Sequence, residues 1–306
     1  MFWDKWFEPK PYQSGFLPEK DGHQVYFETF GNPKGKPVLV FHGGPGGAFH
    51  RYRAKYANLK KYNVIMFDQR GCGKSLPLGE AKYNTTKDLL EDTTRLLNFL
   101  KINKKVILWG ASWGSTLALL WAEQHPEKVE KMLLSQVFLA NKASRAWEFD
   151  GTRYIYTEFV EKMERDSGGK ILKYYNKLIQ SDNKKNQLEA ANTYGWFERV
   201  CGSQVPSFNH LEELTDAELA SHRIYMHYAD NKFFLSDNQI LDDIDRIKNI
   251  KTLIIHNRLD LICPYKGAYE VQQKLAKSKL ITVPDFGHVS KMLGKVIKKE
   301  IKEQLK

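Results

Sequence analysis

The sequence has few cysteines, no long apolar run and no leader-like N-terminus, and these absences narrow the class of protein. Its three cysteines, Cys72, Cys201 and Cys263, are widely spaced and form no Cys-x-x-Cys pair. Such usage disfavours a disulfide framework or a zinc site and is typical of the reducing cytosol. The chain lacks a run of about 18 apolar residues, so no membrane span is predicted. The segment MFWDKWFEPKPYQSG lacks the basic stretch and apolar run of a signal peptide, so we expect a cytoplasmic protein.

Positive charge is in excess, but it is not concentrated. The chain has 47 Lys and Arg residues against 36 Asp and Glu, a net charge of +11. This excess would suit an anionic partner if the positive residues shared one face and accompanied a recognition motif. The dense C-terminal run KVIKKEIKEQLK mixes both signs and predicts a solvated helix face. We therefore predict no nucleic-acid partner and no membrane partner, and the sequence carries no signal for an oligomeric state.

Strand-like apolar runs alternate with helix-like segments in two parts of the chain. The predicted strands are residues 24–30, 37–42, 63–67, 105–109, 131–137, 251–256 and 279–283. This alternation predicts an α/β fold, with a mostly parallel sheet covered by helices on both faces. Thr85, followed three residues later by Asp88, predicts a capping box at the start of one helix. Pro126 predicts the end of another helix.

The alternation is interrupted between about Leu139 and Ser236. This stretch contains long amphipathic segments rich in Trp, Tyr, Phe, Lys and Glu, a pattern that predicts helices. We expect residues 1–138 and 237–306 to form the α/β core. Residues 139–236, called the cap segment below, are expected to form an inserted helical cap.

The sequence GASWG fits the pattern G-x-S-x-G, with Gly110, Ser112 and Gly114 in register. A β-branched strand precedes it and a proline-free apolar helix follows it, which is the context this pattern requires. A nucleophilic serine needs a sharp turn with small neighbours, so that its hydroxyl projects from the sheet edge at a helix N-terminus. The context predicts that Ser112 is a catalytic nucleophile. The alternative is a packing turn in which the serine caps the helix.

A nucleophilic serine needs a base, and the base needs an orienting carboxylate. In this architecture both lie in loops after late strands, in the order Ser, acid, His. Asp260 follows TLIIH, and His288, alone among nine histidines in lying downstream of Asp260, follows LITVP. Separately they could be a turn-forming aspartate before Pro264 and a surface histidine. Together they predict a triad with Ser112.

Glycine-rich turns elsewhere in the chain have two possible interpretations. The loop FHGGPGGAF follows a predicted strand and could bring backbone N–H groups to a developing oxyanion, together with the N–H of Trp113. A phosphate-binding loop is the competing interpretation of such a turn. The stretch DQRGCGKS ends like a nucleotide-binding loop, but Asp68 occupies the position where that pattern requires glycine.

Five stretches together carry a family resemblance. They are GHQVYFETFGNPKGKPVLVFHGGPGG, FDQRGCGKS, NTTKDLLEDTTRL, WGASWGSTLALLWAEQHPEKV and HNRLDLICP. The set resembles the proline iminopeptidases (prolyl aminopeptidases), serine peptidases of the α/β-hydrolase fold. The resemblance covers residues 12–138 and about 236–290 in order.

This resemblance implies a fold, a site and a substrate. The fold is the α/β-hydrolase fold, with the cap segment over the active site. The resemblance implies the triad Ser112, Asp260 and His288, with Gly44 and Trp113 as the donors of the oxyanion hole. It implies short peptides with a free N-terminus as substrates, and it implies no metal or organic cofactor.

In the resembled family, two cap glutamates bind the substrate's N-terminus. The stretch ANTYGWFE resembles A-x-A-W-x-x-W-E and keeps Glu198, whose alternative role is that of a solvated cap residue. The stretch RIYMHYA resembles R-I-E-N-H-Y-F but has Tyr225 in place of the second glutamate. A neutral phenol should bind an ammonium group more weakly than a carboxylate does. Phe138 is implied as a wall of the proline pocket.

The sequence therefore predicts a serine exopeptidase that releases N-terminal proline, or a similar small residue, through an acyl-enzyme on Ser112. The alternative is a carboxylesterase or general acyl hydrolase, in which Tyr225 marks the loss of amine recognition. The sequence leaves open whether Cys263, three residues after Asp260, lines the substrate pocket.

Overall fold

The computed structural model describes residues 8–203 and 210–306. Its strands are Gln13–Phe16 (β1), Tyr26–Gly31 (β2), Lys36–Phe41 (β3), Tyr62–Phe67 (β4), Val106–Ala111 (β5), Val129–Ser135 (β6), Lys251–Leu259 (β7) and Ser278–Phe286 (β8). They form a single sheet in the order β1-β2-β4-β3-β5-β6-β7-β8. The β1–β2 and β2–β4 pairs are antiparallel, and every pair from β4 to β8 is parallel. The predicted mostly parallel sheet is confirmed.

Helices cover both faces of this sheet. The α-helices of the described chain, including those of the cap segment, are Thr86–Phe99 (α1), Trp113–Gln124 (α2), Lys142–Ala146 (α3), Thr157–Ser167 (α4), Ile171–Gln180 (α5), Lys184–Ala190 (α6), Trp196–Ser203 (α7), Asp216–Asp230 (α8), Gln239–Asp243 (α9), Tyr265–Lys274 (α10) and Lys291–Gln304 (α11). Helices α1, α2 and α10 pack on the face that includes Leu39 and Leu108. Helix α11 packs on the opposite face, against Val40 and Ile107. Because successive strand residues point to opposite faces, the continuous apolar runs of the central strands supply both clusters.

The predicted strands all occur, with ends that differ by at most three residues. The largest omission is β1, which the sequence analysis did not predict. It is four residues long, contains Gly15 and lies at the edge of the sheet, so it lacks an apolar pattern. Strand β6 ends two residues earlier than predicted because Gln136 has a φ of 52°, which extended backbone does not allow.

The predicted helix signals act as expected. At the start of α1, the Thr85 side chain accepts a hydrogen bond from the backbone of Asp88, and the Asp88 carboxylate accepts one from the backbone of Thr85. This reciprocal pair is the predicted capping box. Helix α2 ends at Gln124, two residues before Pro126. None of the helices within residues 8–203 and 210–306 has the length and apolar character needed to cross a membrane.

The described part of the cap segment is helical and has an apolar cluster of its own. Helices α3 to α8 lie between β6 and β7, and buried side chains such as Tyr175 and Phe197 form that cluster. The cap segment is joined to the core where Tyr228 and Phe233 pack against the Trp113 ring, with centroids 5.3 and 5.6 Å away. Short π-helical stretches lie at Trp147–Gly151 and Ala191–Gly195. The boundaries given above for core and cap segment stay a prediction.

Candidate active site

Ser112 lies in a strained turn between β5 and α2. Its backbone has φ 55° and ψ −128°, a combination rarely adopted by residues with a side chain. A Cβ at Gly110 would lie 2.2 Å from the Gly114 carbonyl oxygen, and a Cβ at Gly114 would lie 2.3 Å from that of Phe41. Neither position can hold a side chain without moving the backbone. The two glycines are therefore what allows strand, turn and helix to pack this closely around Ser112.

Asp260 and His288 lie in the loops that follow β7 and β8, and the fold brings them into contact. His288 Nδ1 is 2.8 Å from Asp260 Oδ2. The other carboxylate oxygen, Oδ1, accepts hydrogen bonds from the backbone N–H groups of Ile262 and Cys263, both at 2.9 Å. The Gln136 side chain donates to the His288 carbonyl at 2.6 Å. Both partners of the ion pair are thus held in place by neighbouring backbone.

The electrostatic coupling of this pair is strong because it is buried. Burial alone would lower the pKa of His288, but the Asp260 carboxylate outweighs it and raises that pKa well above its usual range. Conversely, burial would raise the pKa of Asp260, but the neighbouring His288 holds it below its usual value. The pair therefore favours an ionised carboxylate beside an imidazole that binds a proton readily.

The HGGPG loop lies directly beside Ser112. A Cβ at Gly43 would be 3.4 Å from Ser112 Cβ and 3.9 Å from its Oγ, and Gly44 lines the same cavity as Ser112. Trp113, the first residue of α2, is fully buried, and its indole N–H donates to Gln69 Oε1 at 2.9 Å. The predicted donor positions are therefore both near Ser112, Gly44 in the wall of the same cavity and Trp113 as the next residue in the chain.

Asp68, the first residue of the DQRGCGKS loop, is bound by backbone N–H groups of its own loop and of the FHGGPGGAF loop. The Asp68 carboxylate accepts hydrogen bonds from the backbone of Phe49 at 3.0 Å and of Lys74 at 2.9 Å. A Cβ at Gly73 would lie 2.3 Å from that same carboxylate. These groups therefore bind an internal anion, the side chain that stands where a nucleotide-binding loop needs glycine.

A cavity of about 380 Å³ separates the serine turn from the cap segment. Ser112 and His288 line its core side, and the rest of the lining combines aromatic and aliphatic side chains with polar and charged ones, among them Arg145, Arg199, Glu218 and His222. Phe138 forms part of this wall, with its ring 5.0 Å from that of Phe233 in an edge-to-face arrangement. A volume of this size with a mostly apolar wall suits a small apolar group such as a pyrrolidine ring.

Both predicted cap residues, Glu198 and Tyr225, line this cavity, together with a carboxylate that the sequence analysis missed. That carboxylate belongs to Glu148, in the π-helical stretch after α3. Burial raises the pKa of Glu148 to about 7, although hydrogen bonds from Tyr194 and Tyr225 oppose this shift. Burial, reinforced by repulsion from Glu148, likewise raises the pKa of Glu198 to about 7. The cap side of the cavity therefore carries two partly exposed, mutually repelling acids.

No sequence pattern pointed to Glu148. It follows Trp147 in ASRAWEFD, a stretch with neither a recognised motif nor a regular helical period. Its position is set by Trp147, whose indole N–H donates to the carbonyl of Leu261, in the loop that also carries Asp260, at 2.9 Å.

Cys263 lines the cavity, which answers a question that the sequence left open. Its Sγ lies 4.0 Å from Ser112 Oγ, and it forms a group with Asp260 and His288 whose potential metal-binding atoms lie within 4.8 Å of one another. This group is a poor fit for a metal ion, because a cysteine binds metals as a thiolate and burial raises the pKa of the Cys263 thiol. The Asp260 oxygen in question is already paired with His288.

Comparisons with known proteins agree with this geometry. Residues 36–295 match the α/β hydrolase fold family. A protein of Leptolyngbya boryana named as a probable proline iminopeptidase is 37% identical over 91% of this chain and 89% of its own. The proline iminopeptidase of Arabidopsis thaliana is 36% identical over 91% of this chain and 76% of its own. The crystal structure of a proline iminopeptidase from Mycobacterium smegmatis has a TM-score of 0.66 at 19% identity, covering 96% of this chain and 97% of that one, a likeness of fold.

Proposed function

The chain belongs to the proline iminopeptidase family of α/β-hydrolase-fold enzymes, and on this basis we propose that it releases N-terminal proline, or a similar small residue, from short peptides. The observation that carries the proposal is a cavity that places carboxylates opposite Ser112 and His288. An exopeptidase of this kind must bind a positively charged N-terminus near its nucleophile. A buried carboxylate pairs with a cationic amine far better than it would in water.

We assign the acylation chemistry to Ser112, His288 and Asp260. Because His288 Nδ1 is engaged by Asp260, its Nε2 is the nitrogen that accepts the Ser112 proton. Ser112 Oγ then bonds to the carbonyl carbon of the first residue, and the N–H groups of Gly44 and Trp113 stabilise the oxyanion. His288 returns the proton to the leaving amine as the peptide bond breaks. In sites of this type, the hydrogen bond between serine and histidine is often long without substrate and becomes short only when substrate binds.

Deacylation uses the same groups in reverse. Water loses a proton to His288 and attacks the prolyl ester on Ser112, and the serine leaves with that proton as free proline is released. Glu198 is assigned to the substrate's N-terminal nitrogen and Phe138 to the ring of the first residue. Tyr225, which is neutral at pH 7, contributes its phenol rather than a charge.

A cytosolic location is part of this proposal. The support is that all three cysteines are free and buried, as suits a reducing compartment. Short peptides left by other peptidases are the substrate class that such an enzyme would meet there.

A substrate panel tests the proposal against the esterase alternative. The wild-type protein should cleave prolyl p-nitroanilide, and acetylation of the prolyl nitrogen should abolish cleavage. Ser112→Ala should remove turnover, by about 10³-fold or more, without changing the melting temperature. Turnover of an uncharged ester with no cleavage of prolyl p-nitroanilide would overturn the peptidase proposal in favour of an acyl hydrolase.

A matched substitution tests the assignment of Glu198. Glu198→Gln keeps the size of the side chain and removes its charge, so KM for prolyl p-nitroanilide should rise by about 10- to 100-fold. Turnover of the uncharged ester should stay within about twofold of wild type, because that ester has no ammonium group for the carboxylate to bind. Equal losses on the two substrates would show that Glu198 supports the fold rather than the amine.

A further inference from the structure

Tyr225, which stands where the resembled family has a glutamate, forms a hydrogen bond with the carboxylate of another residue. Its hydroxyl donates to Glu148 Oε1 at 3.3 Å, and the buried Tyr194 hydroxyl donates to the same oxygen. The phenol at position 225 therefore reaches the carboxylate from α8, while the carboxylate itself enters the cavity from the stretch after α3. Tyr225 carries no carboxylate, but the carboxylate of Glu148 lies next to its hydroxyl.

Glu148 and Glu198 form an acidic pair with no ion-pair partner at contact distance, although the charges of His288 and Arg199 act on Glu198 from farther away. Both line the cavity that contains Ser112, and each is only partly exposed. Within residues 8–203 and 210–306, neither carboxylate has a Lys, Arg or His nitrogen within 4.0 Å. Two buried acids that repel each other are destabilising unless a positive group compensates them. The cavity between them is open to a ligand that could supply that group.

We propose that Glu148 is a specificity-determining residue that binds the substrate's N-terminal ammonium group together with Glu198. The inference rests on the proposed function and adds a residue to it. Both phenols donate to Oε1, so Oε2 is the oxygen we assign to the ligand.

The chemistry of proline fits a site with two acceptors. The secondary ammonium of an N-terminal proline has two N–H donors, one for each carboxylate. A primary ammonium has three donors, and the third would have to find a partner inside a largely apolar wall or remain unpaired. The pair Glu148 and Glu198 thus favours a secondary amine over a primary one, a preference that an acidic surface in water would not give.

The test compares Glu148→Gln with Asp150→Asn. The amide oxygen of the substituted side chain can still accept the two phenol hydrogen bonds, so Glu148→Gln removes the charge with little change in packing. Asp150 lies two residues along the same stretch and is exposed, which makes it a matched control. For Glu148→Gln we expect kcat/KM on prolyl p-nitroanilide to fall by about 10- to 100-fold, mainly through KM. Turnover of p-nitrophenyl acetate should stay within about twofold of wild type, and Asp150→Asn should match wild type on both substrates.

The outcomes separate the two proposals. If wild type does not cleave prolyl p-nitroanilide, the proposed function is wrong, whatever Glu148 does. If wild type cleaves it and Glu148→Gln behaves like Asp150→Asn, only the inference about Glu148 is overturned. A folded Glu148→Gln that loses both activities equally also overturns the inference. A purely structural role of Glu148 would lower turnover of both substrates, whereas binding of the amine affects only the prolyl substrate.

A second variant covers the case in which Glu148→Gln does not fold. Glu148→Asp keeps the charge and shortens the side chain by one methylene, which moves the carboxylate away from the ligand. It should lower kcat/KM for prolyl p-nitroanilide by about threefold to tenfold and spare p-nitrophenyl acetate. Equal effects on the two substrates would contradict the assignment.

Discussion

The core side and the cap side of the cavity are built in different ways. On the core side, Ser112, Asp260 and His288 each follow a parallel strand, and β5 to β8 are neighbours in one sheet. Parallel strands end at the same edge, so the topology alone brings these three loops together. On the cap side, Glu148 and Glu198 come from separate helical stretches outside the sheet, so their places depend on how those stretches pack on each other and on the core loops. The proposed reacting groups are therefore positioned by the sheet, whereas the groups proposed to recognise the substrate depend on helix packing.

The largest expected effect is on the core side, at the orienting acid. In Asp260→Asn, the oxygen bound by two backbone N–H groups must remain an oxygen, so the new NH₂ faces His288. Nδ1 must then accept a hydrogen bond, and the ring proton moves to Nε2, the atom that has to accept the proton from Ser112. We expect kcat to fall by about 10³- to 10⁴-fold on both the prolyl anilide and the ester.

Steady-state kinetics on both substrates measure this effect. Asp285→Asn, near the end of β8, is the matched control because its carboxylate accepts a hydrogen bond from the backbone N–H of the next residue, Phe286. A decrease in kcat of less than tenfold in Asp260→Asn would mean that Asp260 does not set the tautomer of His288.

An intermediate effect should appear in the pH profile of the cap side. Glu148 and Glu198, each with a pKa raised to about 7, carry charge above that pH and lose it below. Binding of an ammonium group should therefore weaken as the pH falls through about 7. Protonation of His288, whose pKa is raised well above its usual range, should depress both substrates alike. Below about pH 7 we expect log(kcat/KM) for prolyl p-nitroanilide to fall more steeply than for the uncharged ester, by an extra tenfold per pH unit or so.

The other groups facing the two acids do not change this sign. Tyr194 and Tyr225 stay neutral because burial raises the pKa of each hydroxyl well above its usual range. Burial likewise raises the pKa of Cys201 to about 12. His288 and Arg199 lower the pKa of Glu198, in opposition to burial and to Glu148. If log(kcat/KM) fell equally steeply for the two substrates below about pH 7, the result would contradict recognition of the amine by carboxylates.

The smallest expected effect concerns the support of the cap side. Tyr194→Phe removes one hydroxyl that donates to Glu148 from a buried position. We expect the free energy of unfolding to fall by about 1 kcal/mol and kcat/KM on prolyl p-nitroanilide to fall by less than tenfold. Urea unfolding and kinetics measure the two changes, with Tyr154→Phe as the control because Tyr154 is 89% exposed. No change in either quantity would mean that the hydrogen bond to Glu148 does not position it.

The same contrast explains what could be predicted from the sequence. The sheet, the turn at Ser112 and the capping box at Thr85 depend on local patterns, namely apolar period, small residues around a turn, and an acid three residues after a cap. Strand β1 was not predicted, because a strand of four residues at a sheet edge needs no apolar pattern. Asp260 and His288 could be located because strand order restricts where partners of a serine can lie.

The cap side was harder to predict because helix packing leaves little trace in a short pattern. Glu198 was found through its resemblance to a family stretch. Glu148 could not be found in this way, since the resemblance gave its position no functional role and its neighbours show no motif. What places it in the cavity is a contact over a long sequence separation, from Trp147 to the Leu261 carbonyl.

The π-helical stretches Trp147–Gly151 and Ala191–Gly195 have one further consequence. Each takes an extra residue into a helical turn, and one contains Glu148 while the other immediately precedes the helix that carries Glu198. Losing one residue from such a turn would rotate the following side chains by about 100° about the helix axis. The sheet would be untouched, yet an acid would leave the cavity and another side chain would enter. If the two acids recognise the substrate as proposed, a single-residue deletion in either stretch would change which substrates are bound.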